Sequence, residues 1–295
     1  METVGDRIKD IRKRYGISQE AIAHNICTQS EISRIENNKN LPSYTVLYKI
    51  AQKLGVDLDY LLVDKSSDNR EDYLSEVKEQ LKKARRVRDY KLIQEIVAIE
   101  SKAPIFKRGE NYKYLKWHEA TACYHLNKDK NKSLHMLKTV CLSESDIENV
   151  YTELDLHVLN SIGIIYRNEQ ELRDARVYLE KANEIIYKTP NLSDIKIKLK
   201  IIYNLSKIYT DLIFVEKSID LCKKGMQICI ENESSFLLAE FHYQVGRNYL
   251  ISGNENEGLQ YWNSTLNLLD IQENQALIKF IKNEINYYKA NKKVY

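Results

Sequence analysis

At 295 residues the chain has room for about two domains, and its 9 Gly and 3 Pro, set against 21 Tyr, point to an all-α protein with few tight turns. No apolar run approaches the roughly 20 residues of a membrane span, and the N-terminus is a charged amphipathic helix without a signal-peptide core, so a cytoplasmic protein is expected. The net charge of +3 is too weak to diagnose nucleic-acid binding by itself. Cys27, Cys123, Cys141, Cys222 and Cys229 are irregularly spaced with no Cys-x-x-Cys pair, which suggests neither a disulfide framework nor a zinc site but small core residues.

The first helix is predicted over residues 4 to 15, where Val4, Ile8 and Ile11 repeat at helical spacing and Gly16 ends it. Its basic end, Arg12-Lys13-Arg14, suits either a phosphate contact or a solvated helix terminus. Gln19 to Asn25 follows as a short helix with Ser18 as N-cap and Glu20 in the first turn. Ile26-Cys27-Thr28 makes a turn. Gln29 to Glu36 forms the next helix, with Ile32 and Ile35 facing inward and Gln29, Ser30, Ser33 and Arg34 outward. Two short helices at this separation, the second with polar side chains on its exposed N-terminal face, have the geometry of a helix-turn-helix whose second helix enters the major groove.

Asn37-Asn38-Lys39-Asn40 is then a loop of amides and one cation suited to a DNA backbone, or else a plain polar loop. Ser43 caps a helix with Leu47, Ile50, Ala51 and Leu54 inward and Gly55 at its end, and Asp57 caps a last short helix. Residues 1 to 65 hold ten basic and nine acidic side chains, so placement of charge matters more than its sum. So weakly basic a module implies modest affinity, and dimerisation is the usual way to double the phosphate contacts.

Val63 to Arg70 is polar and poor in apolar residues and marks a boundary between residues 1–65 and 66–295. Helical spacing resumes at once with Tyr73, Val77 and Leu81, so the second domain is expected to begin with a helix close to the first domain. Beyond it the chain repeats. Tyr124, Tyr166, Tyr209 and Tyr249 are separated by 42, 43 and 40 residues. Three residues before them stand Thr121, Gly163, Ser206 and Gly246; nine after, Ser133, Ala175, Ser218 and Gly258; sixteen after, Val140, Ala182, Gly225 and Thr265. Small side chains at these positions let helix backbones approach, while Leu137, Leu179, Cys222 and Trp262, thirteen after, fill the groove. The register resembles the tetratricopeptide pattern of antiparallel helix pairs, with a period longer than the usual residue count of about 34. Leu74 to Ser101 is expected to be a divergent first repeat and Gln275 to Asn291 a capping helix.

In such a solenoid the first helix of each pair lines the concave face. Positions two and six before each tyrosine then select Ile164, Lys207 and Arg247, with Asn160, Tyr203 and Tyr243; His157, Lys200 and Glu240 lie a turn earlier, and Asn204 and Gln244 border the same face. Amides pair with the backbone of an extended peptide, cations take a carboxylate, and tyrosines pack apolar side chains. Solvated helix faces are the plain alternative. Catalytic signatures are missing: His118-Glu119 and His125 do not have the spacing of His-Glu-x-x-His, and there is no phosphate-binding glycine loop and no nucleophile elbow. No enzyme activity, cofactor or metal is expected.

The residues SQEAIA, SEISRIENNKNLPS and LYKIAQKLGVDLDYLL resemble the Cro/lambda-repressor (XRE) type of helix-turn-helix across residues 4 to 63. With HNICTQSEISRIE in the head and WHEATACYHL, LNSIGIIY, IIYNLSKIY and HYQVGRNYL in the repeats, nearly the whole chain is similar to the peptide-responsive quorum-sensing regulators of Gram-positive bacteria, the RRNPP group. That resemblance implies a homodimer on a palindromic DNA operator and a short signalling peptide in the groove, with contacts from Asn160, Asn204 and Gln244 and from the basic Arg86 and Arg88. Leu62 and Leu277 depart from tyrosines found near the peptide in one member of that group, which implies a ligand of different sequence. Gln19, Thr28, Gln29, Ser30, Ser33, Arg34, Asn38 and Lys39 are the expected DNA contacts, and Arg86, Arg88, Asn160, Ile164, Lys200, Tyr203, Asn204, Lys207, Tyr243, Gln244 and Arg247 the expected peptide contacts. The rival reading is a DNA-localised scaffold whose groove binds a protein partner.

Overall fold

Four hydroxyl-bearing residues decide where the first helices begin. The computed structural model describes residues 3–62, 65–141, 151–188 and 194–291, and its regular elements are all helical. By its internal contacts the chain divides into two units, residues 1–87 and 88–295. In the first unit Thr3, Ser18, Thr28 and Ser43 each accept a backbone N–H three residues on, opening α1 (Val4–Arg14), α2 (Gln19–Ala23), α3 (Gln29–Glu36) and α4 (Tyr44–Leu54). Each cap satisfies a donor that would otherwise have no partner in the helix, worth about 1 kcal/mol. Gly55 sits in the left-handed region after α4, as the sequence predicts. The second helix is shorter than expected, because His24 leaves helical geometry and Asn25 turns the chain at φ 63°.

The first core is built from Ile8, Ile22, Ile32, Ile50 and Leu61, all 0% exposed, with Ile11, Ile35, Leu47, Ala51 and Leu54 around them. Helices α1 and α3 approach so closely that a Cβ at Gly5 would lie 2.0 Å from the Ile35 carbonyl oxygen. Two more helices complete this unit, α5 (Leu58–Leu62) and α6 (Lys65–Val87). Because α6 starts at Lys65, most of the polar stretch expected as a boundary is helical. Val63 and Asp64, and the side chains of Val140 and Cys141, lie outside the described residues.

The second unit runs α7 (Tyr90–Glu100), a 3-10 turn at Pro104–Phe106, then α8 (Gly109–Asn127) and α9 (Lys130–Met136), which continues into a π turn. Three further pairs follow: α10 (Glu153–Asn168) with α11 (Leu172–Lys188), α12 (Ile195–Asp211) with α13 (Val215–Glu231), and α14 (Leu238–Ile251) with α15 (Glu255–Ile271). The closing α16 (Gln275–Asn291) has the expected bounds. Leu74–Ser101, expected as a divergent repeat, falls on α6 and α7, one in each unit.

The small residues of the repeat mark where paired helices touch. A Cβ at Gly163 would meet Leu179 at 2.5 Å, and one at Gly246 would meet Trp262 at 2.4 Å. Ser133 and Ser218, nine residues after their tyrosines, are fully buried and donate back to the carbonyls of Ala120 and Ser206 at 2.7 and 2.8 Å. Helices α8, α10, α12 and α14 also contact one another in succession, which sets the first helices of the pairs side by side.

Candidate functional site

In the first unit a chain of polar contacts runs beneath α3. Arg12 donates to both carboxylate oxygens of Glu36 at 2.6 and 2.8 Å, Gln19 donates to Glu36 at 2.8 Å, and Gln29 donates to Gln19 at 2.8 Å. Burial pushes the Glu36 carboxyl up, but the hydrogen bonds from Arg12 and Gln19 and the Arg12 charge outweigh it and hold it below its ordinary range. Arg12 is therefore not a solvated helix end: its side chain is 13% exposed and tied to a fully buried acid. Sequence reasoning missed this pair because Glu36 reads as an ordinary polar residue at a helix end.

Thr28, Gln29, Ser30 and Arg34 are exposed on α3 and its cap, while Ser33 is half-buried. Thr28 also spends its side-chain oxygen on the N–H of Glu31. Asn38 sits at φ 58°, and its amide contacts Thr3 and Asp6 at the start of α1, so it anchors the loop after α3. Lys39 is exposed.

In the second unit the face of α10, α12 and α14 collects most of the residues expected to bind a peptide. Asn204 donates to Asn160 across neighbouring repeats at 2.8 Å, and Asn160 is 7% exposed. Ile164, Lys200, Tyr203, Lys207, Tyr243 and Arg247 are half-buried. Tyr203 meets Phe241 edge-on, and Tyr243 stacks on Trp262 with ring centroids 5.5 Å apart. Gln244 is placed differently: it is 1% exposed, and its amide donates to Thr210 within a buried network that joins Thr210, Ser218 and Asn248. Arg86 is exposed on α6 in the first unit; Arg88 is exposed in the second, where its charge bears on Lys207 and His125. Leu62 is 49% exposed, and Leu277 packs against the core of α14 to α16.

Two residues the sequence reading passed over organise this face. Asp211, at the end of α12, accepts from Arg167 at 2.7 Å and from Arg247 at 3.5 Å, so one carboxylate joins three successive repeats. Lys207 lies one turn before it, with its ammonium 4.7 Å from the centre of the Tyr203 ring. Burial, with the charges of Arg167, Arg88 and Arg247, pulls the Lys207 pKa down to about 8 against the pull of Asp211. Beside them a cleft of about 470 Å³ is lined by Tyr124, His125, Lys128, Arg167, Asn168, Glu169, Gln170 and Asp211. Tyr90 stacks on His125 at 3.9 Å near the same cleft. Arg167 and Asp211 stand one and two residues after marker tyrosines, a signal open to the repeat register but outside the positions it was used to select.

Residues 8–61 match the helix-turn-helix family, and residues 78–290 match the RNPP family C-terminal domain. Together with the helical repeats, these define a helix-turn-helix transcriptional regulator rather than an enzyme. The chain belongs to the RNPP family. Among solved structures it is similar to Bacillus thuringiensis PlcR in complex with the peptide PapR7 and DNA, at 26% identity and a TM-score of 0.73, covering 95% of this chain and 99% of that one. ComR from S. thermophilus, in complex with DNA and its signalling peptide ComS, shares the fold at 15% identity and a TM-score of 0.61, covering 96% and 98%. Tetratricopeptide-like repeats of a kinesin light chain from Podospora anserina align at 17% identity and a TM-score of 0.51, covering 69% and 99%. No curated protein matches the chain. Among the described residues no helix is long and apolar enough to cross a membrane.

Proposed function

We propose that this protein is a cytoplasmic, homodimeric transcription factor that binds a palindromic operator through its head and is controlled by a short signalling peptide bound on the face of α10, α12 and α14. The observation that carries the reading is membership of the RNPP family combined with similarity over nearly the full chain to a regulator solved with both a peptide and DNA. In the head, Arg34 or Gln29 reads base edges, and Gln19 and Lys39 fix phosphates, with Thr28, Ser30, Ser33 and Asn38 around them. In the repeats, the amides of Asn160 and Asn204 pair with peptide backbone, and Tyr203 and Tyr243 pack its side chains. Lys200, Lys207, Arg247 and Arg88 supply positive charge, Ile164 an apolar contact, and Gln244 supports the wall from behind.

Peptide binding shifts the population of head placements, and with it the fit to half-sites one helical turn or a multiple apart. The test is isothermal titration of the full-length protein with synthetic peptides taken from small secreted reading frames beside its gene, repeated on Asn160→Ala and Asn204→Ala. Binding at about micromolar Kd or tighter, lost in both variants, supports the peptide site. Saturable binding that survives both substitutions moves it elsewhere.

A further inference from the structure

The charges around Lys207 do not balance. The groups that bear on it most are three arginines, Arg167, Arg88 and Arg247, against the Asp211 carboxylate. That carboxylate is already shared between Arg167 and Arg247, and its contact with Arg247, at 3.5 Å, is long for a charge-assisted bond. Lys207 makes no salt bridge to a described residue and rests on the Tyr203 ring. Glu240 bears on Tyr203, and burial holds its carboxyl above the ordinary range. Cations gathered in a half-buried site without matching anions are costly, and an incoming anion relieves the cost. The guanidinium fork suits a carboxylate, which it holds through two parallel hydrogen bonds.

We propose that Arg167, Lys207 and Arg247 form a carboxylate-binding subsite, which takes either the free C-terminus or an acidic side chain of the bound peptide and for which Asp211 is the internal occupant. The proposal rests on the peptide reading above and adds the chemistry that selects the ligand. The neighbouring cleft, lined by Arg167 and Asp211, has a volume within the range of about 300–1,000 Å³ typical of ligand pockets. In the unliganded protein Asp211 holds the two guanidinium groups in place. A ligand carboxylate competes for the same donors, takes over the looser one on Arg247, and brings Lys207 its missing counter-charge.

The experiment titrates a positional-scanning library of synthetic heptapeptides, made once with free and once with amidated C-termini, into the full-length protein. Arg167→Gln, Arg247→Gln, Asp211→Asn and Asn160→Ala are titrated in parallel, with helix content checked by circular dichroism. The expected result is that the best binder carries an essential carboxylate. Loss on amidation identifies the C-terminus, and loss on Glu→Gln at one position identifies a side chain. Arg167→Gln and Arg247→Gln should each weaken that peptide about tenfold or more and leave its neutral counterpart little changed. Asp211→Asn should tighten it, an outcome that damage to the fold does not produce. Binding that needs Asn160 but is indifferent to the ligand carboxylate and to both arginines overturns the subsite and leaves the peptide reading standing. Equal weakening of acidic and neutral peptides by Asp211→Asn also overturns it. If no library member binds the unmodified protein, both readings fall.

Discussion

Arg34 and Arg12 illustrate how differently two arginines of one small domain are used. Arg34 is exposed on α3, as a side chain that reads a base edge must be. Replacing it with Ala is expected to cost about 1–3 kcal/mol of operator binding, measured by competition against random DNA at fixed salt. Equal binding of both DNAs before and after the change would remove Arg34 from the interface. Arg12 is tied to buried Glu36, and Arg12→Met leaves that carboxylate without its counter-charge and with Gln19 as a remaining donor, at an expected cost of about 3 kcal/mol of head stability. Faster hydrogen exchange of the α3 amides reports this, while Arg34→Ala should leave exchange unchanged. The same pair sets an acid limit. Because the Glu36 pKa is held below its ordinary value in the folded state, its stabilising contribution is present above the ordinary carboxylate range and is lost as pH falls through the lowered value.

At the level of elements, the repeat depends on how closely two helices can lie. Gly246 on α14 faces Trp262 on α15, and a Cβ there would also stand 2.9 Å from the Gly258 carbonyl oxygen, so neither a flexible side chain nor free space absorbs it. Gly246→Ala should destabilise the second unit by about 1–3 kcal/mol through overpacking. Thermal unfolding measures the loss, and a shift in tryptophan emission reports the displaced indole. The network of Thr210, Ser218, Asn248 and Gln244 does a related job with polar groups, since it lies between α12, α13 and α14 with every member 1% exposed or less. Asn248→Ala strands its partners and should cost about 1–3 kcal/mol, read in the same melt.

At the level of the whole molecule, the cationic face couples ligand binding to protons. Lys207 titrates near pH 8 in the folded protein rather than at its ordinary 10.5, facing Arg167, Arg88, Arg247, Asp211 and the Tyr203 ring. The unfolded chain therefore holds this proton to higher pH than the folded one, so stability should rise as pH goes from about 8 toward 10.5. A bound carboxylate favours the charged amine, and peptide binding at or slightly above pH 8 should take up protons. Titration calorimetry in buffers of different ionisation enthalpy measures that uptake. No uptake would mean that the ligand places no negative charge near Lys207.

What the sequence determined by itself was local or periodic. Hydroxyl caps at Ser18 and Ser43, glycine stops such as Gly55, the inward stripe of Ile32 and Ile35, and a repeat marked by tyrosines and small residues were legible because each depends on neighbours a few positions away or on a regular spacing. The bounds of α3 and α16 follow from such signals. Only the tertiary structure decided what long-range pairing controls. Glu36 finds Arg12 across 24 positions, and Arg167 and Arg247 find Asp211 across 44 and 36. Gln244 turned into the wall for the same reason, because Thr210 and its partners offer its amide a buried site that no spacing along α14 announces. Periodicity reveals which face of a helix is covered, whereas the partner of a charge or an amide depends on which helix the fold sets beside it.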